Sequence, residues 1–466
     1  MKKHTHRKPA SSVKRTKKPS LLIVIPLILL TAFVIILTIY KTIEFFLINH
    51  SSTNIPKLEI SLTNNPIEQI DMDPKYIKYP DNSATFTVNG KSTTFDNVEI
   101  KGRGNSSWAQ SKKSYQLKFA DKINPFGDET SKKWLLLANY VDPSYLRDDI
   151  AFYLEELFGE PYKPNAYFTE LSFDEYYHGL YYMVDKVELS QTSIDLKNPS
   201  ALLVELDNFY GENCQYSRNK DCFIVKDAIN EDSASELLTS FVDTIDELTI
   251  AIDLQDYTKI SKLIDVDSFA RYYLLNEFTV NPDAYSSSFF LYQDNENDLI
   301  HAGPGWDFDF ALGNRNWDAL EIDYEKFHSP YESNILKQYV DSGGKDSNNI
   351  SLLVYNLMNI PEFETRVKKI YQETLSNHGQ ELLDYIKNQA NYIKKAALKD
   401  INRWKFKTNF DEEIDYLIDW VSKRYDHFEK TYGPNSPSLI TTDFDQDQSQ
   451  NSIPNPIPES PLPSQE

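Results

Sequence analysis

Residues 95–119 read FDNVEIKGRGNSSWAQSKKSYQLKF and have the pattern of two strands joined by a turn. Val98 and Ile100 alternate with polar residues before the turn, and Tyr115 and Leu117 do so after it. Apolar residues at every second position are typical of β-strands with one buried face. Glycine, asparagine and serine between the two runs indicate a turn. We therefore predict a β-hairpin at this position.

Strand patterns continue on both sides of this hairpin, and helical patterns follow them. The strand-like segments are LEISL and ATFTV upstream, and YFTELSF, HGLYYMVDKVEL, ALLVELD and CFIVKD downstream. An amphipathic helix ends at Gly159, and from about residue 233 most segments have helical periodicity, with long helices predicted at 352–375, 379–400 and 411–432. The strand pair SFFLYQD and LIHAGPGWDFDF interrupts them. This order predicts an α+β fold with a β-rich lobe, a helix-rich lobe and a ligand cleft between them.

The N-terminus has the pattern of a membrane anchor. Residues 1–20 carry eight Lys/Arg and no acid, and residues 21–40 are uncharged and mostly apolar. A helix of twenty residues, at about 1.5 Å each, spans a hydrocarbon core of about 30 Å. A cleaved signal peptide is the alternative, but its apolar core is shorter, about 7–15 residues. We predict that the protein crosses the cell membrane once. The predicted parts are a basic cytoplasmic tail (1–20), one transmembrane helix (21–40), a juxtamembrane spacer (41–56) and an extracytoplasmic domain (57–432).

Composition limits the possible partners of that domain. The chain has 48 basic and 70 acidic residues, a formal net charge of −22, so general attraction to nucleic-acid phosphates is not expected. Cys214 and Cys222 are the two cysteines, and outside the cytoplasm we favour a disulfide between them over free thiols. Residues 433–466 are rich in Pro, Ser, Gln and Asp, which predicts a disordered tail.

The main candidate site combines Asp283 with the segment GPGWDFDFALGN at residues 303–314. Positions i and i+2 of a strand share a face, so we expect Asp307 and Asp309 to point the same way. Two adjacent carboxylates among aromatic residues need a cation or donors to neutralise them. Mg²⁺ binds one or two carboxylates together with phosphate oxygens, which fits this pattern. A hairpin with solvated acids is the alternative.

A basic candidate site lies in the hairpin quoted first. Its turn carries Arg103, glycines and small polar residues that can present N–H groups to an anion. Lys113 and Lys118 follow, and we expect one of them to pair with phosphate oxygens. A charged hairpin edge explains the same residues without a ligand. Together, lysines for phosphates and carboxylates for Mg²⁺ are the elements of phosphoryl transfer.

Five sequence strings resemble the spore-coat protein H (CotH) kinase family. They are KGRGNSSW…KKSYQLKF, KWLLLANYVDPSYLRDDIAFYL, YHGLYYMVDKVE, LLVELDN and GPGWDFDFALGN, within residues 95–430. The resemblance implies an atypical protein-kinase-like fold that uses ATP with Mg²⁺ or Mn²⁺. It implies that Asp283 is the catalytic acid, that Asp307 binds metal with Asp309 as its companion, and that Lys113 or Lys118 contacts phosphate.

Three functions agree with this resemblance. The first is a membrane-anchored extracytoplasmic kinase that phosphorylates proteins on a surface or in a spore coat. The second is a non-catalytic surface module of the same fold that binds a cell-wall polymer or a host protein. The third is another ATP-dependent modification, such as nucleotidyl or amino-acid transfer.

Overall fold

A computed structural model describes residues 30–31, 33–35, 53–123, 125–126, 131–191, 193–209, 211–314, 324–325 and 351–436. Within these residues, seven strands close into a barrel in the order β1-β2-β3-β4-β5-β7-β6. Their bounds are β1 (Lys57–Ser61), β2 (Lys78–Val88), β3 (Lys91–Arg103), β4 (Ser114–Ile123), β5 (Ser131–Leu137), β6 (Ala166–Phe173) and β7 (Tyr176–Asp185). Parallel pairing of β1 with β6 closes the barrel, and the other pairs are antiparallel.

The predicted hairpin of residues 95–119 is confirmed as the β3–β4 pair. Ile100 lies opposite Leu117, and both side chains are fully buried inside the barrel. The turn contains a short 3₁₀-helix, Ser107–Ala109. Glycine is required at position 102 because a Cβ there would lie 2.5 Å from the Trp108 ring and 2.8 Å from the Cα of Lys75.

The outer face of the barrel at β5 and β7 packs on the second hydrophobic core of the molecule. Leu135, Tyr182 and Val184 belong to that core, whereas Leu136 and Met183, their neighbours along the strands, point into the barrel. This alternation follows from the twofold period of a strand. Both faces of these strands are therefore buried, and the barrel packs on the helical part of the chain through apolar side chains.

A second sheet lies in the helix-rich part, with the order β12-β11-β8-β10-β9 among the described residues. The strands are β8 (Leu202–Leu206), β9 (Gln215–Tyr216), β10 (Cys222–Ala228), β11 (Phe289–Gln293) and β12 (His301–Ala302). Cys214 and Cys222 form a disulfide across the β9–β10 connection, with Cα atoms 5.1 Å apart, which confirms that pairing. The strand predicted through GPGWDFDF is wrong, because β12 ends at Ala302.

The helices within the described part are α1 (Ile67–Met72), α2 (Arg147–Phe158), α3 (Ala234–Asp253), α4 (Tyr257–Ile260), α5 (Val266–Thr279), α6 (Leu353–Leu357), α7 (Pro361–Glu373), α8 (Gly379–Trp404) and α9 (Phe410–Tyr432). Gly159, at φ +79°, ends α2 as predicted. The single helix predicted at 352–375 is wrong. Pro361 occupies the first turn of α7, where its missing N–H costs nothing, and the chain breaks into two helices before it.

The fold is thus a mixed α+β structure with a β-rich N-terminal part and a helical C-terminal part. In the part of the chain that the structure describes, no helix has the length and apolar character needed to cross a membrane. The predicted transmembrane segment 21–40 lies outside the described residues except at 30–31 and 33–35, and the predicted tail 433–466 lies outside them after residue 436.

Candidate functional site

The WDFD segment is irregular backbone held on helix α2. The backbone N–H of Gly305 donates to Glu155, and the N–H of Phe308 donates to Asp148 Oδ1 at 2.9 Å. Between these anchors Asp307 adopts φ +67°, a left-handed conformation that is costly for a residue with a side chain. The two carboxylates of α2 therefore fix a strained turn at the position where we expected a strand.

Asp283 lies in a tight turn directly after helix α5. The helix ends at Val280, which is left-handed at φ +48°, and Asn281 Oδ1 accepts from the N–H of Asp283 at 3.2 Å. The carbonyl of Asp283 accepts from the N–H groups of Ser286 and Ser287, both at 3.0 Å. The backbone of Asp283 is therefore locked while its half-buried carboxylate stays available.

Repulsion between carboxylates shows that the predicted acids converge. Burial raises the pKa of Asp283 to about 7, with further contributions from the negative charges of Asp307 and Asp207. Burial raises the pKa of Asp148 to about 7 as well, and Asp307 adds to that shift. For Asp309, burial and then the charges of Asp307, Asp148 and Asp283 raise the pKa well above its ordinary value. We call these five residues, Asp148, Asp207, Asp283, Asp307 and Asp309, the acidic cluster.

The acidic cluster runs from the interior to the protein surface. Asp148 and Asp207 are buried, Asp283 and Asp309 are half-buried, and Asp307 is exposed. Protein atoms around the Asp307 carboxylate still raise its pKa, although Arg103 and a hydrogen bond from Ser288 counteract the shift. A ligand arriving from solvent therefore meets Asp307 first.

Arg103 is the basic residue that the structure brings to this cluster. It is the last residue of β3, and its guanidinium lies 5.3 Å from the centre of the Trp306 ring. Burial lowers the pKa of Arg103, and the charges of Asp307, Asp148 and Asp309 raise it. A guanidinium beside several carboxylates offsets part of their mutual repulsion. The structure thus brings the predicted residues Arg103, Asp283, Asp307 and Asp309 close enough for their charges to interact.

Lys113 and Lys118 lie outside the cluster. Lys113 Nζ donates to the carbonyls of Trp108 and Gln110 and lies 4.5 Å from the Trp108 ring centre, so it braces the turn. Lys118 is exposed on β4 and pairs with Glu99. Arg103 pairs with Ser114, which lies four residues before Lys118 on the same strand. Four strand residues span about 13 Å, which separates Lys118 from Arg103 along the strands, although Lys118 lies directly opposite Lys133 on β5.

Other lysines form a series of interacting charges that begins beside Arg103. Lys101 lies two residues earlier on β3, and burial together with the charge of Lys78 lowers its pKa. Lys186 follows β7, and burial together with the charge of Lys133 lowers its pKa. Lys226 continues this row and binds Glu205 in an ion pair. We call Lys101, Lys133, Lys186 and Lys226 the lysine row.

Sequence reasoning missed Asp207 and Glu205, and it left Asp148, at the head of a helix, open between a structural partner and a ligand. Glu205 and Asp207 end the LLVELDN segment, where two acids interrupt a fully apolar strand run. Both side chains are buried, and burial raises the pKa of Glu205 while Lys226 lowers it. Buried acids in a strand are rare without a partner or function, and this was the available signal.

The acidic cluster suits a divalent cation that is shared with a ligand. Across the described residues, the side chains do not bring three or more His, Cys, Asp or Glu into metal-holding geometry. Mg²⁺, however, uses one or two carboxylates and completes its octahedron with water and phosphate oxygens. Carboxylates with raised pKa values around the exposed Asp307 are the donors that such a cation would neutralise.

Comparison with known proteins agrees with this arrangement of motifs. The family model described as CotH kinase protein matches residues 100–428, which include Arg103, Asp283 and the WDFD segment. The chain is also 23% identical over 394 residues to "Inner spore coat protein H" of Bacillus subtilis (strain 168). That alignment covers 78% of this chain and 96% of the relative. The chain therefore belongs to the CotH kinase protein family.

Proposed function

We propose that the chain is an atypical protein kinase that transfers the γ-phosphoryl group of ATP to protein hydroxyl groups with Mg²⁺ or Mn²⁺. The observation that carries the proposal is the meeting of Asp283, Asp307 and Asp309 with Arg103 at one place on the surface. Carboxylates for a cation and a guanidinium for phosphate are complementary parts of one phosphoryl-transfer site. We also propose that the β-rich part and the helical part of the chain are arranged as the two lobes of a kinase-like fold.

Each acid of the site has a role that its surroundings suit. Asp307, the exposed member, would hold the divalent cation, with Asp309 behind it. The cation supplies charge neutralisation to the phosphates when it is bound. Asp283, whose pKa of about 7 lies near neutrality, would accept the proton of the acceptor hydroxyl. Charge from a bound cation would lower the pKa of Asp283 and keep it ionised.

The phosphate-binding residues would be Arg103 and the lysine row. Arg103 offers a planar donor pair to phosphate oxygens, and its packing against Trp306 fixes its orientation. Lys101 and Lys186 are partly buried beside other lysines, and both effects lower their pKa values. Glu99 counteracts the shift for Lys101, Glu188 and Asp227 counteract it for Lys186, and a phosphate would add to these negative charges. Lys113 and Lys118 do not need a direct phosphate contact in this proposal.

The proposed place of action is outside the cytoplasm. The relative from Bacillus subtilis is named an inner spore coat protein, and a disulfide is typical of an oxidising compartment. We propose a protein acceptor in a spore coat or on the cell surface, with residues 21–40 as the membrane anchor and the N-terminus in the cytoplasm.

Label transfer from ATP to peptides that contain Ser, Thr or Tyr tests the proposal. We expect the full-length chain with Mn²⁺ to transfer label from γ-labelled ATP and none from α-labelled ATP. Asp283→Asn and Asp307→Asn are expected to abolish transfer, whereas the exposed Asp253→Asn is a matched control that keeps it. Transfer of the α-label would indicate nucleotidyl transfer instead. Binding without any transfer, unchanged in both site variants, would indicate the surface-module function.

A further inference from the structure

We propose that the loop closed by the Cys214–Cys222 disulfide is a positioning element that holds Asp207 in the acidic cluster, so that opening the disulfide weakens binding of the divalent cation. This inference rests on the proposed function and concerns residues 207–222, which we call the bridge loop. It gives the disulfide a role in the site, in addition to closing the β9–β10 connection.

The backbone of Asp207 is hydrogen-bonded to the backbones of Cys222 and Gly211, next to the disulfide. The N–H of Asp207 donates to the carbonyl of Cys222 at 3.0 Å, and the N–H of Gly211 donates to the carbonyl of Asp207 at 3.2 Å. A Cβ at Gly211 would lie 2.3 Å from Cys222 Sγ and 2.5 Å from the carbonyl oxygen of Asp207. Gly211 thus packs between the disulfide and the carbonyl of Asp207.

Two hydrogen-bonded routes run from the bridge loop to the turn of Asp283. In the first, Cys222 N–H donates to Asn208 Oδ1 at 2.7 Å, and Asn208 N–H donates to the carbonyl of Ser286 at 2.7 Å. In the second, Asp221 accepts from Ser351 Oγ at 2.8 Å, and Ser351 N–H donates to the carbonyl of Tyr285 at 2.7 Å. An Asn208–Asp221 hydrogen bond of 3.1 Å joins the two routes.

The charge of Asp207 explains why the disulfide would be needed to hold this residue in the acidic cluster. Asp207 is buried and lies close enough to Asp283 for their negative charges to repel. This repulsion disfavours the position of Asp207 beside Asp283 unless a cation offsets it. A covalent link that restricts the loop opposes that movement, and a loop of nine residues gains considerable freedom when the link is cut. Placement of Asp207 therefore depends on the disulfide.

An electrostatic interaction also links the bridge loop to the turn that carries Arg103. The charge of Glu212 acts on Lys75, which donates to the carbonyl of Gly104 at 2.7 Å. Displacement of the loop would remove this charge from the neighbourhood of that turn.

The inference is tested by titrating the full-length chain with Mn²⁺, in its oxidised and in its reduced form, and by detecting free Mn²⁺ with electron paramagnetic resonance. A phosphine reductant breaks the S–S bond, takes oxygen from water to become the phosphine oxide, and leaves one proton on each sulfur. We expect Mn²⁺ affinity, with a non-hydrolysable ATP analogue present, to fall at least about fivefold after reduction. The Cys214→Ser/Cys222→Ser double variant should have the weakened affinity and no response to phosphine, which controls for effects of the reductant on the metal.

Asp207→Asn separates positioning from general loosening of the fold. This variant, still oxidised, should bind Mn²⁺ more weakly, and its reduction should cause little further loss. Amide hydrogen exchange gives a readout that does not depend on nucleotide binding: reduction should speed exchange at residues 207–209 and 284–287, with far-UV circular dichroism unchanged. Two titrated thiols per chain with unchanged Mn²⁺ affinity and unchanged exchange would overturn the inference. An oxidised chain that binds no Mn²⁺ with nucleotide would count against the proposed function, and hydrogen exchange alone would then decide the inference.

Discussion

The buried ion pair between Lys112 and Asp400 joins the barrel to helix α8, and Asp400→Asn tests its importance. Lys112 Nζ lies 2.9 Å from Asp400 Oδ2, and both side chains are fully buried. Asp400 also accepts from Tyr145 Oη and from the N–H of Leu180, each at 2.9 Å. The variant keeps the shape of the side chain but leaves the Lys112 charge without a counter-ion.

The expected loss of stability follows from this geometry. Removing one partner of a buried pair costs about 3–5 kcal/mol, and asparagine retains an acceptor, so we expect about 3 kcal/mol. For an ordered region of this size, that corresponds to a fall in Tm of about 4 °C. Urea unfolding followed by tryptophan fluorescence measures the free energy of unfolding.

Lys394 and Asp411 provide the matched control on helices α8 and α9. Their Nζ–Oδ1 distance is 2.7 Å, but the side chains are 42% and 61% exposed. Solvent screens such a pair, so Asp411→Asn should change the free energy of unfolding by less than about 0.5 kcal/mol. Equal effects of Asp400→Asn and Asp411→Asn would refute the reasoning that burial makes the Lys112–Asp400 pair important.

Two further predictions concern the acidic cluster and its cationic neighbours. The metal-free chain should lose stability as pH rises from about 4 to about 7, because Asp148 and Asp283 have pKa values of about 7 in the folded chain and hold protons that the unfolded chain releases. Asp283→Asn should therefore raise the free energy of unfolding at pH 8 by at least about 1 kcal/mol, measured by urea unfolding, and an unchanged pH profile would contradict this. Arg103→Gln should weaken ATP binding about tenfold in calorimetry, whereas Lys118→Gln should change it less than about twofold. A larger loss of ATP binding in Lys118→Gln than in Arg103→Gln would indicate that Lys118 contacts the phosphate.

The strands of the barrel were predictable because each has one face inside it. Ile100 and Leu117 follow the period of two, so alternation alone revealed both strands. Gly159 likewise ends its helix because the left-handed conformation there suits glycine. The second sheet was harder, since its strands β8 and β11 are buried throughout and lack alternation.

The candidate residues of the site could be chosen from the sequence, but their geometry could not. Asp307 and Asp309 were identified as adjacent acids among aromatic residues, Arg103 by its glycine-rich turn, and the role of Asp283 through the family resemblance. The left-handed backbone of Asp307 was not predictable, because it depends on hydrogen bonds that neighbouring backbone N–H groups donate to α2 side chains about 150 residues earlier in the chain. The choice between Arg103 and Lys118 was equally inaccessible, since it depends on the register of β3 with β4, which places the two residues four positions apart on one face.

Calorimetric titration of Mn²⁺ with a non-hydrolysable ATP analogue tests the central claim most directly, because it asks whether Asp283 and Asp307 share one cation-dependent nucleotide site. We expect the full-length chain to bind the nucleotide only with the metal, and Asp307→Asn to lose that binding. Nucleotide binding that ignores the metal, or that survives Asp307→Asn unchanged, would contradict the account.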